Sequence, residues 1–201
     1  MNFLAHLYLS PENKDVMLGN FIADAIKGKS LLNYKPEIQK GVALHRAIDT
    51  YTDEHPVFKQ SADRLRRKYK LYSKVIVDIY YDHFLARKWN NYSDTELTRF
   101  ASSAYKTLIM NYGILPSRYK RILPFMIAQN WLVGYASFWS LEKVFRGMAR
   151  RTGFKSGMEN AVTDLKKDYR AFESEFVEFF PRLENFVSEL NYTDSEQDCD
   201  N

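Results

Sequence analysis

Apolar residues recur at three- and four-residue intervals along almost the whole chain, while the strict alternation of a half-buried strand and the Asn-Gly or Asp-Gly turns of hairpins are absent. That pattern predicts an all-α fold. A short helix is expected over residues 2–9. Ser10 can cap a second helix with Pro11 at its first position, running to Lys27 and stopped by Gly28. Pro36 opens a third, which ends near Thr52 before Asp53-Glu54-His55-Pro56; in that turn His55 is best read as a cap. A basic helix follows over 56–69, then an amphipathic one over 73–89 with Val75, Ile79, Phe84 and Leu85 among its apolar members. The Ser93-Asp-Thr-Glu96 pattern reads as a capping box for a helix to Met110. Pro116 precedes a segment over 117–133 that Pro124 should kink or break, and helices over 138–151 and 156–190 complete the set.

No internal repeat or long linker divides the pattern, so residues 1–190 are expected to form one domain, with 191–201 an acidic, disordered tail. A chain of 201 residues with 45% hydrophobic and 15% aromatic content can bury a substantial core. No apolar run approaches the roughly 18 residues needed to span a bilayer, and no membrane role is expected. The N-terminus runs from an apolar stretch containing His6 into Ser10-Pro11-Glu12 without a basic leader, so a signal peptide is not expected. Cys199 is the only cysteine, which rules out an intrachain disulfide and a cysteine-based zinc site and fits a cytoplasmic location. The net charge is +4, but the last fourteen residues hold five acidic and no basic side chains, leaving +9 on the body. Such a body suits an acidic macromolecule or a phosphate-bearing substrate.

The densest chemistry lies in the first 83 residues, which hold all four histidines. Asn2/His6, Asn20/Asp24, His45/Asp49 and Asp78/Asp82-His83 are each pairs at helical spacing, so separate helices offer N/O ligand side chains from otherwise apolar stripes. A core cannot hold so many ionisable groups unpaired, because each costs roughly several kcal/mol on burial. A divalent cation would neutralise them together. Imidazole with carboxylate suits Mn, Fe or Zn, and a carboxylate-rich set leans to the harder metals. Arg46, about 100° round the helix from His45, is a candidate phosphate contact. The stretch with Arg64, Arg66, Arg67, Lys68, Lys70 and Lys74 faces only Asp63, and Arg146, Arg150, Arg151 and Lys155 form a second basic group. Neither accompanies a nucleic-acid motif, so no nucleic-acid partner is expected. Trp131, Tyr135, Phe138 and Trp139 are most simply core. Phosphate-binding loops, the G-x-S-x-G nucleophile turn and H-E-x-x-H are all absent.

Several segments together resemble the acyl carrier protein phosphodiesterases, also called acyl carrier protein hydrolases. They are Met1-Asn-Phe-Leu-Ala-His6-Leu, Leu18-Gly-Asn20 with Asp24 and Lys27-Gly28, His45-Arg46-Ala-Ile-Asp49 with Thr52-Asp53-Glu-His55-Pro56, Asp78 with Asp82-His83-Phe-Leu-Ala86 and Trp89, and Trp131-Leu132 with Tyr135. The resemblance implies a helical array related to the HD phosphohydrolase superfamily, with Mn²⁺ as metal and another divalent ion as the alternative. It also implies an acidic protein substrate, acyl carrier protein, from whose holo form the 4′-phosphopantetheine arm is removed. The adjacent His-Asp dyad of that superfamily is not present, since Arg46 follows His45 and the other site reads Asp82-His83.

On this reading the expected ligands are His45, Asp82 and His83, with Asp24 and His6 completing the set or orienting water. Asp49 is expected to support His45, Arg46 to contact phosphate, and Arg64, Arg66, Arg67, Lys68 and Lys70 to steer the carrier. Two alternatives stay open: a metal phosphohydrolase acting on a nucleotide or other small phosphoester, and a non-catalytic helical interaction module whose polar clusters are hydrogen-bond networks.

Overall fold

Prolines and buried side-chain caps set the helix starts in the computed structural model, which describes the backbone of residues 1–197 and the side chains of residues 1–190. Helix α1 (Phe3–Tyr8) is too short to stand alone and has every first-turn donor satisfied from outside. The Asn2 side chain accepts from Phe3 N at 2.9 Å, and Asp82 Oδ2 and Oδ1 accept from Leu4 N and Ala5 N at 2.8 and 3.2 Å. Helix α2 (Lys14–Ile22) starts later than expected, capped by Asn13, whose oxygen accepts from Asp15 N and Val16 N. Ser10 does not cap it. Its hydroxyl donates to His6 O at 2.8 Å and accepts from Asn20 Nδ2 at 3.0 Å, tying the end of α1 to α2. Nor does α2 reach Lys27, because a tighter 3-10 turn over Ala23–Ala25 ends it and leaves Ile26 extended.

Helix α3 (Pro36–Glu54) and helix α4 (Pro56–Tyr69) both open on proline, whose missing N–H costs nothing there. His55 Nδ1 accepts from Val57 N at 3.3 Å, as its capping role predicts. Helix α5 (Ser73–Arg87) is buried on most sides, including Asp82 and His83, while Val75 is left exposed. Helix α6 (Leu97–Met110) begins past the expected capping box, because Ser93 Oγ accepts from Thr95 N and closes a local turn instead. Helix α7 (Ser117–Ala128) contains Pro124 without breaking; the Lys120 carbonyl that proline deprives of a donor lies 3.4 Å from the Tyr112 hydroxyl. The break comes at Asn130, whose left-handed backbone (φ 45°) starts the short α8 (Trp131–Gly134). Helix α9 (Phe138–Arg151) is as predicted. The expected final helix is two, α10 (Ala161–Lys167) and α11 (Tyr169–Gln197), interrupted at Asp168. Of the expected disordered tail over 191–201, the backbone to Gln197 continues α11, while the side chains beyond Leu190 and all of residues 198–201 lie outside the described residues.

The fold is all-α, with no strand among the described residues. Helix α5 runs through its centre. Phe172, Phe176, Phe179, Phe180 and Leu183 of α11 are all fully buried, and Tyr81 of α5 packs against Phe58, Phe176 and Phe179 with ring centroids 5.7, 5.5 and 5.4 Å away. Each such ring contributes roughly 1.5–3 kcal/mol by leaving water.

Helices α2 and α3 meet backbone to backbone. A Cβ on Gly19 would lie 2.1 Å from Ile38 O, and one on Gly41 2.1 Å from Val16 O. Neither obstacle is a flexible side chain, so the crossing requires glycine on both helices. Gly41→Ala is expected to destabilise the protein by about 2–3 kcal/mol or more through forced separation of the helices. A chemical-denaturation midpoint equal to that of the parent would contradict the close crossing.

Candidate metal centre

The crossing of α2 and α3 brings Asn20 against His45, and α1 lays His6 on top of both. His6 Nδ1 lies 2.9 Å from Asn20 Oδ1, and His45 Nδ1 lies 2.8 Å from the Asn20 carbonyl oxygen. The two rings stack at 3.9 Å between centroids, 17° from parallel. With each Nδ1 held from behind, both Nε2 atoms face Asp49 one turn along α3: His6 Nε2 lies 3.2 Å from Oδ1 and His45 Nε2 3.2 Å from Oδ2. Asp24, on the 3-10 turn after α2, adds its Oδ1 at 3.4 Å from His45 Nε2. His6, His45 and Asp49 thus offer three ligand atoms within 4.8 Å of one another.

Both Nε2 atoms are buried, and neither makes an aligned hydrogen bond despite the carboxylate alongside. A pair of nitrogen and carboxylate-oxygen atoms that converge on one point without bonding each other is the arrangement a cation fills. The charges agree. Burial lowers His6 to about 4, so its imidazole is neutral near pH 7. For His45, burial opposes the charge but the adjoining Asp24 and Asp49 carboxylates outweigh it and raise the group to about 9. Asp49, although burial alone would raise it, is held well below the usual carboxylate range by His45 and His6. Asp24 is likewise lowered, chiefly by its contact with His45. Met1 N lies 3.3 Å from Asp49 Oδ1 and 3.0 Å from Asp78 Oδ1.

The cluster sits at the head of a cleft of about 1000 Å³. One wall is α5 with Lys74, Val75 and Asp78; the other is Tyr119 and Ile122 of α7, Trp131 of α8, and Trp139, Lys143 and Arg151 of α9. Trp139 is 64% exposed and carries Lys143 Nζ 3.3 Å over its ring, so it lines the cleft rather than the core. Arg118 and Arg151 also line it, and among the described residues neither is paired with a carboxylate.

Of the expected ligands, His6, His45 and Asp24 do come together. Asp49, expected to support His45, stands between both imidazoles in a ligand's position. Asp82 and His83 do not join. Asp82 spends both oxygens on the first turn of α1, and burial raises it to about 7. His83 turns to the other side of α5, with Nδ1 2.7 Å from Tyr135 O and Nε2 3.3 Å from the Tyr169 hydroxyl, and burial lowers it to about 4. Arg46 points away from the cleft, its guanidinium 3.4 Å from Ile26 O; the cations on the cleft are Lys74, Arg118, Lys143 and Arg151. Part of the α4 basic stretch is ion-paired: Arg64 with buried Glu175, Arg66 with exposed Asp63 at 2.8 Å and Lys68 with Asp164 at 2.8 Å. All of Arg64, Arg66, Arg67, Lys68 and Lys70 are exposed.

A profile of the acyl carrier protein phosphodiesterase family matches residues 1–183, which include every residue of the cluster and cleft. The chain belongs to that family. Similar curated proteins carry the same description: one from Photorhabdus laumondii is 31% identical over 91% of this chain and 93% of its own length, one from Yersinia enterocolitica 30% identical over 91% and 95%, and one from Shigella boydii 31% identical over 91% and 95%. The family is one of enzymes. No solved structure matches the chain. No helix among the described residues is long and apolar enough to cross a membrane.

The protonation pattern has a consequence for stability. The raised His45 value means that the metal-free folded state keeps this proton more tightly than the unfolded chain, whose value is 6.5. Its contribution is therefore full below about pH 6.5 and lost as pH rises through about 9. Melting temperature of the metal-free protein should decline over that interval, and less steeply in His45→Gln. Parallel curves for the two proteins would contradict the assigned pairing.

Proposed function

We propose that this protein hydrolyses the phosphodiester joining the 4′-phosphopantetheine arm to acyl carrier protein, using a divalent cation held by His6, His45 and Asp49 with Asp24 at its open side. The observation that carries the reading is the convergence of two buried imidazole nitrogens, neither with an aligned hydrogen bond, on Asp49 beside the cleft. The family names the reaction. Two imidazoles with two carboxylates suit Mn²⁺ first, with Fe²⁺ and Zn²⁺ behind it. We also group the array with the HD phosphohydrolases, on histidine and aspartate ligands drawn from separate helices.

A cation held by His6, His45 and Asp49 would neutralise charge gained at phosphorus and would lower the pKa of a water toward neutrality. Asp24 is ionised at neutral pH and sits on the exposed side of the cluster, where it can orient that water and take its proton. Water oxygen bonds to phosphorus, the bond from phosphorus to the carrier serine oxygen breaks, and that oxygen takes up a proton that balances the one Asp24 removed from the water. Arg118, rather than Arg46, is positioned to hold the phosphoryl oxygens, and the Trp131 and Trp139 wall to cover the arm. The acidic carrier approaches the cleft, which Lys143 and Arg151 line together with exposed Leu71 and Trp139, and where Lys74 is paired with Asp53 at 2.9 Å.

The test is the mass of holo-acyl carrier protein after incubation with this protein and Mn²⁺. Loss of the arm is expected, with chelation stopping it and Asp49→Asn slowing it by about 100-fold or more. An unchanged carrier mass would overturn the substrate. Full activity after exhaustive chelation would overturn the metal.

A further inference from the structure

We propose that Asn20 is the positioning residue that keeps the Nε2 atom of His6 free to accept a cation, by drawing the ring proton to Nδ1; this rests on the metal reading above. Asn20 is completely buried. Its amide orientation is fixed by chemistry, because Nδ2 lies 2.8 Å from the carbonyl oxygen of His6, which can only accept, and 3.0 Å from Ser10 Oγ. Oδ1 must then face the two rings, at 2.9 Å from His6 Nδ1 and 3.2 Å from His45 Nδ1. An acceptor at that place draws the ring proton to Nδ1.

His6 needs this more than His45 does. His45 Nδ1 also has the Asn20 carbonyl oxygen at 2.8 Å and would keep it whatever side chain stood at position 20. His6 has no second acceptor behind it, and on its other side Asp49 Oδ1 waits 3.2 Å from Nε2. A neutral imidazole has two tautomers, and here two acceptors compete for its single proton. If Asp49 wins, Nε2 carries the proton and the lone pair points backwards, away from the cluster. If Asn20 wins, the lone pair faces Asp49, which is repulsive until a cation stands between them. Asn20 therefore holds the site in a state that favours metal, and it steadies His6 a second time through the carbonyl of the same residue.

Two readouts separate this role from simple packing. Long-range proton–nitrogen NMR of the metal-free protein reports which His6 nitrogen carries the proton, and titration with Mn²⁺ alone reports affinity. We expect the parent and Asn20→Asp, which keeps an oxygen facing the ring, to show the proton on Nδ1. Asn20→Leu should show it on Nε2, with Mn²⁺ binding weakened about 10- to 100-fold. A proton on Nε2 in the parent, or a folded Asn20→Leu with the proton still on Nδ1, would overturn the proposal; should the leucine variant fail to fold, the parent and Asn20→Asp spectra decide it. Absence of Mn²⁺ binding by the parent, with the tautomers as expected, would overturn the metal reading and with it the metal-positioning role, whereas wrong tautomers with Mn²⁺ still bound would overturn the role of Asn20 alone.

Discussion

The backbone contact between α2 and α3 is the constraint on which the centre depends. With Gly19 and Gly41 facing each other, the helices approach until a Cβ on either would meet a carbonyl oxygen at 2.1 Å. That closeness puts the Asn20 carbonyl oxygen 2.8 Å from His45 Nδ1, a contact no pair of helices at the usual 8–10 Å separation set by larger side chains would make. His6 arrives by a different route. Helix α1 is one and a half turns of chain that persists because Asp82, from the buried middle of α5, takes two of its first-turn amides. Asp82 matters to the site through the helix that it anchors.

The electrostatics follow from that placement. Two buried, stacked imidazoles lie against two carboxylates that are partly open to the cleft, and proton occupancy does the balancing in the metal-free protein. His6 gives up its charge to burial, whereas His45 keeps one because Asp24 and Asp49 flank it. The proton of His45 occupies the place a divalent ion would take, and binding must release it. The lining of the cleft carries the same mixture: the acidic and histidine groups of the cluster, aromatic side chains from α7, α8 and α9, and the cations Lys74, Arg118, Lys143 and Arg151.

Much of this was legible in the sequence. Prolines at 36 and 56 mark helix starts because proline loses nothing at a first position, and both helices begin there. Histidine and aspartate one turn apart mark a shared face, and His45 with Asp49 shares one. The same geometric rule, applied strictly, separates the residues that the fold does not bring to the cluster, since neighbours in sequence lie about 100° apart on a helix and do not face the same way. Asp82 and His83 go to α1 and to Tyr135, and Arg46 leaves the cleft that His45 faces. Arg118 and Trp139 gave no local signal, because their places on the cleft wall come from how α7 and α9 pack. The missed cap at Asn13 and the break at Asp168 are of the same kind: acceptable helix formers stand on both sides, and tertiary packing decides between them.

The central claim is that one cation binds where His6, His45 and Asp49 converge. Anomalous scattering from crystals of the protein grown with Mn²⁺ tests it directly. The account predicts a single strong peak about 2.0–2.3 Å from both Nε2 atoms and an Asp49 oxygen. A peak between Asp82 and His83, or none at the head of the cleft, would contradict it.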